Sequence, residues 1–154
     1  MCDVLKEIYK KIYNEDFNYG ELKHRIKLQK AVYVLENMGV HVGDYSFSWD
    51  KYGPYSLRLD SDAKKCSLIK EQVVAFSQVA ENAFAKMRDY INQCISYSCH
   101  EWMECIASLH YLSNVWRIEE DSVIAHLVEL KPRLSDNIAN AKALEITKEI
   151  KVGF

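Results

Sequence analysis

Residues 21–38 read ELKHRIKLQKAVYVLENM, and the spacing of their apolar side chains decides the fold class. At about 100° per residue, His24, Leu28, Ala31, Val32, Leu35 and Met38 fall within one arc of about 120°, the stripe of a core-facing helix. Gly39 follows at once and suits a helix C-terminus, because glycine tolerates the left-handed backbone that ends helices. Ile26 and Tyr33 make a second, narrower stripe on the far side. A helix apolar on two sides needs neighbours on both, so this one is expected near the centre of the molecule.

Beyond Gly39 the period changes. Val42, Tyr45, Phe47 and Trp49 alternate with Gly43, Ser46, Ser48 and Asp50, which predicts a short half-buried strand over residues 45–49. Lys51-Tyr52-Gly53-Pro54-Tyr55-Ser56 then reads as a turn, since glycine permits unusual backbone angles and proline fixes its own. Ser56 is placed to cap a brief helix over residues 57–65.

Helical spacing returns on either side. Asp3 is a candidate N-cap for a helix reaching residue 13, with Leu5, Ile8, Tyr9 and Ile12 on its apolar face. A long helix is expected over residues 69–94, with Val73, Phe76, Val79, Ala80, Phe84, Met87 and Ile91 inward. Another is expected over residues 99–116, where Trp102, Cys105, Ile106, Leu109, Leu112 and Trp116 share one arc. Residues 120–130 and 135–150 complete the pattern across Lys131-Pro132. The expectation is a mainly α fold: one domain over residues 1–154, with about six helices and a short strand or hairpin near residues 42–52. Leu28, Val32, Leu35, Phe47, Trp102, Ile106 and Leu109 are expected in its core.

Composition narrows the function. The 154 residues are 49% hydrophobic and 27% charged, the balance of a chain that buries a core unaided. Twenty Lys and Arg stand against twenty-two Asp and Glu, so no overall field draws the protein to nucleic acid or an anionic membrane. No stretch approaches the roughly 20 apolar residues of a membrane span. Five cysteines without CxxC spacing, and no apolar leader at the N-terminus, fit a reducing cytoplasm.

The candidates for chemistry are weak. Cys99 and Cys105 are six residues apart, so on one helix they point about 120° from each other and lie about 9 Å apart along the axis. Structural zinc takes ligands two to four residues apart or on one helix face. None of His24, His41, His100, His110 and His126 sits in a local nucleophile motif, and no phosphate-binding glycine loop or HExxH helix is present. His24 and His110 read as structural histidines, and the expectation is no enzyme, no metal and no cofactor.

Binding has better candidates. Lys23, Arg25, Lys27 and Lys30 decorate the central helix, and five aromatics crowd residues 45–55. A rigid turn that presents aromatic side chains suits a protein interface. Lys27 and Lys30 are expected to adjoin it as exposed charges at its rim. The alternative is a DNA-binding regulator, with the helix as recognition element and the strand and turn as a wing.

Two stretches together, RIKLQKAVYVL (residues 25–35) and YSFSWDKYGPYS (residues 45–56), resemble the pattern of uncharacterised bacterial proteins of the YwgA type. ECIASLHYL (residues 104–112) is similar to a later helix of those proteins, and the SocA-like, or Panacea, antitoxin domain is a more distant likeness. The resemblance covers about a third of the chain, and Lys27 departs from its pattern. It implies a small helical domain carried by bacteria and phages, which in the SocA-like branch neutralises a toxin by contact or delivers it to a protease. It supplies no catalytic residue. The expectation is therefore a cytoplasmic module that binds another protein through Tyr52, Gly53, Pro54, Tyr55, Ser56, Lys27 and Lys30.

Overall fold

Two helices carry the core, and neither is amphipathic in the ordinary sense. The computed structural model describes residues 2–69 and 74–150. Its elements, in order, are α1 (Cys2–Tyr13), α2 (Leu22–Asn37), a hairpin of β1 (Ser48–Asp50) and β2 (Gly53–Tyr55), α3 (Leu57–Cys66), α4 (Gln78–Asn92), α5 (Cys99–Asn114), α6 (Glu120–Leu130) and α7 (Asn137–Glu149). All ten residues from 26 to 35 of α2 are buried, as are all eleven from 102 to 112 of α5. The two helices pack on each other. α5 also meets α4, α6, α7 and β2, while α1, α3 and the hairpin cover the other sides of α2.

The second stripe of α2 thus has the neighbours its sequence demands. Tyr33 packs edge-on against Phe47, with ring centroids 5.3 Å apart, and its hydroxyl hydrogen-bonds His110 Nδ1 at 2.8 Å. Beyond Met38, Gly39 takes φ +87°. Its N–H donates to the Glu36 carbonyl and that of Val40 to Leu35, the paired bonds of a Schellman ending.

Several boundaries differ from expectation for physical reasons. The strand over residues 45–49 and the turn over 51–56 become a hairpin shifted towards the C-terminus, with Ser48 opposite Tyr55, Trp49 opposite Pro54 and Asp50 opposite Gly53. Only Lys51 and Tyr52 form the turn. Pro54 is tolerated in β2 because a two-stranded sheet has only edge strands. Phe47, expected in the core, is half-buried.

The helix expected over residues 69–94 begins only at Gln78. Residues 74–77 are irregular, and Ser77 caps α4 by accepting from Ala80 N at 3.2 Å. Val73 and residues 70–72 lie outside the described residues. Phe76, outside the helix, still packs against Phe84, ring centroids 5.0 Å apart, so its apolar spacing reflects tertiary contact rather than helix. α1 begins at Cys2, with Asp3 inside it instead of capping it. α5 stops at Asn114, which frees Trp116 to lie against Trp49 at 5.2 Å between centroids. With the brief α3 counted, the described helices number seven.

Candidate functional site

The hairpin is clamped to α2 from below by side chains that the sequence presents as surface charges. Lys30 is only 1% exposed; its Nζ donates to the Pro54 carbonyl at 2.9 Å. The preceding residue, Gln29, bonds Ser56 twice: its Nε2 donates to the Ser56 carbonyl and its Oε1 accepts from the Ser56 N–H, both at 2.9 Å. The Ser56 hydroxyl accepts from Leu59 N at 3.2 Å and so caps α3, as its position predicts. Gly53 takes φ +93° where the hairpin presses on α5, and a Cβ there would collide with Ser108 Oγ.

A buried charge cluster holds the turn from the other side. Glu104 of α5 is fully buried and accepts from both arms of Arg133, with Nη1 to Oε1 at 2.7 Å, and from Lys131 Nζ at 3.2 Å. Lys131 also donates to the Lys51 carbonyl and stands 4.9 Å from the centre of the Trp49 ring. Arg133 lies 5.3 Å and Lys51 5.4 Å from the centre of Tyr52, whose ring is therefore flanked by two cations.

Above Lys30 opens a cleft of about 460 Å³. Tyr19, Leu22, Ile26, Tyr52 and Tyr55 give it apolar walls, Arg25, Gln29 and Lys30 reach it from α2, and Asp50, Lys51 and Asp60 also line it. Arg25 stacks on Tyr19, 5.1 Å from ring centre to guanidinium, and donates to the Tyr19 carbonyl at 3.0 Å. The Tyr19 hydroxyl donates to Asp60 at 2.9 Å. Burial pushes the Lys30 ammonium down to about 7, against the pull of Glu104, and it pushes Lys131 down as well. The same burial raises Tyr19 and Tyr55 above the usual phenol range.

Of the seven residues expected to form a contact surface, three line the cleft, Lys30 from beneath and two on its walls. Tyr52 and Tyr55 are half-buried and line the cleft; Gly53, Pro54 and Ser56 are buried beneath them as its scaffold. Lys27 and Lys30 are not rim charges. Lys27 turns to α1, where its Nζ pairs with Glu15 at 2.7 Å and lies 4.7 Å from the centre of Tyr13. Both lysines are buried because their aliphatic stems count as apolar surface and their tips each find an acceptor. Ten consecutive residues of α2 are covered, and its N-terminal end, with Leu22 and Lys23, is exposed.

Glu104, Lys131 and Arg133 escape a reading of single segments as site residues. A carboxylate inside the apolar run from Trp102 to Leu112 was the available signal, since a charge at such a position demands a partner. Which cations answer it depends on how residues 131–133 fold back. Elsewhere, His24 accepts from Asn18 N at 3.0 Å and stacks on Tyr9, a structural role like that of His110. Cys105 donates to Asn140 at 3.2 Å, and burial pushes its thiol up. Among the described residues no three His, Cys, Asp or Glu side chains converge as a metal site requires, and no helix is long and apolar enough to cross a membrane. Comparison with family models, curated proteins and solved structures finds no match.

Proposed function

We propose that this chain is a cytoplasmic protein-binding module of the antitoxin or adaptor kind, whose contact surface centres on Tyr52 and Tyr55. The observation that carries this reading is the clamped hairpin. Lys30, Gln29, Lys131 and Arg133 fix its backbone, so two half-exposed tyrosines are held in place before a partner arrives, which lowers the ordering cost of association. Leu22, itself exposed, extends the apolar surface beside them. Tyrosine is among the residues that most often anchor protein interfaces. The antitoxin or adaptor role rests on the resemblance of residues 25–35 and 45–56.

The test compares wild-type protein with Tyr52→Ala and Tyr55→Ala as baits in the native host. Each variant should keep its folding stability within about 1 kcal/mol while weakening capture of one specific second chain by about 2 kcal/mol or more. Capture unchanged by both substitutions sinks the proposed surface. Affinity for duplex DNA that falls steeply as salt rises would favour the regulator instead.

A further inference from the structure

We infer that the cleft above Lys30 is a binding site for a monocarboxylate carried on an apolar body, with Lys30 and Arg25 as the groups that hold it. Three observations converge. First, with Lys30 protonated the cluster beneath the hairpin carries one more cation than anion: Lys30, Lys131 and Arg133 stand against the buried Glu104 and the exposed Asp50. Second, two of the three cations that line the cleft, Lys30 and Arg25, have unspent donors. Lys30 has three N–H groups and one acceptor, the Pro54 carbonyl; Arg25 has five and one acceptor, the Tyr19 carbonyl. Third, the walls of Leu22, Ile26, Tyr52 and Tyr55 suit a hydrocarbon or aromatic ring, and the volume of about 460 Å³ is that of a small-ligand pocket.

The carboxylates that line the cleft sharpen the class. Asp50 and Asp60 would repel a second negative charge, so a single carboxylate fits better than a phosphate monoester. The groups facing Lys30 are Glu104 from α5, Asp50 from the hairpin, and Lys131 and Arg133 from the segment after α6. An anion placed beside Lys30 supplies the counter-charge that this set lacks. Because burial holds the empty site's ammonium near 7, binding at pH 8 should be accompanied by uptake of a proton. The site does not depend on a protein partner: the carboxylate can be a free acid or an acidic side chain.

The experiment is titration calorimetry of the intact protein with phenylacetate, and in a second arm with the capped tripeptide Phe-Glu-Phe, at pH 8 in HEPES and in Tris. Neutral phenylacetamide is the control. Carboxylate binding at least tenfold tighter than the amide, with close to one proton taken up, is expected. Lys30→Met should weaken binding at least tenfold and abolish the proton uptake; Arg25→Gln should weaken it severalfold and leave the uptake in place, which covers the case of a poorly folding Lys30→Met. Binding of the free acid alone assigns the site to a small molecule, and binding of the tripeptide assigns it to a protein segment. The inference is overturned by no binding in either arm, by equal binding of phenylacetamide, or by binding without proton uptake. Those failures would leave the tyrosine contact surface standing, just as failed capture of a second chain would leave the cleft standing.

Discussion

At Gly53 two demands meet on one residue: a backbone at φ +93° and a side-chain position already filled by Ser108. Gly53→Ala should therefore destabilise the fold by at least about 1–3 kcal/mol in urea denaturation, since an L-residue is strained there whatever the space. Pairing it with Ser108→Ala removes the collision with Oγ and not the backbone strain, so only part of the loss should return. An Ala at 53 with wild-type stability would show that the hairpin does not press on α5. The special backbone need of Gly53 is visible in the sequence, whereas its place, the first residue of β2 directly after the turn, is not. Lys30 is harder still. Nothing local distinguishes it from Lys23, and only the landing of Pro54 on α2 makes one lysine a buried strut while the other stays at the surface.

Among the elements, α2 and α5 are the most legible, because an apolar phase sustained over sixteen residues in each leaves few alternatives. The start of α4 was not legible: Phe76 lies in helical phase with Phe84 yet reaches it from an irregular segment, and the true signal was the cap at Ser77. Ser56 shows how a cap and a contact surface can be confused. It is buried, caps α3 and bonds Gln29 through its backbone, so its side chain serves stability. Ser56→Ala should cost about 1 kcal/mol of folding free energy, the usual scale for a lost N-cap. Its affinity for any partner that Tyr55→Ala weakens should be unchanged, as measured in the same binding assay.

For the whole molecule, the buried cations beneath the hairpin make stability depend on pH. In the folded chain Lys30 loses its proton near 7, while the unfolded lysine keeps it to the ordinary lysine range. Between pH 7 and about 8.5 the unfolded state thus binds more protons, and stability should rise with pH. Lys131 shifts in the same direction, whereas the thiols of Cys94, Cys99 and Cys105, pushed up by burial, oppose it from near 9 upward. The clean measurement is the difference between wild type and Lys30→Met in urea midpoint at pH 7 and pH 8.5. The rise should be smaller in the variant, and an equal rise would mean that Lys30 is not the titrating group. The hairpin has a last consequence, for how copies of this chain meet. Pro54 sits opposite Trp49, in the position of a short antiparallel pair whose backbone groups face outward. It has no N–H to offer, and Lys30 already occupies its carbonyl. The outer side of β2 is closed to edge-to-edge pairing, so another chain cannot extend this sheet from that side, and recognition there is left to side chains.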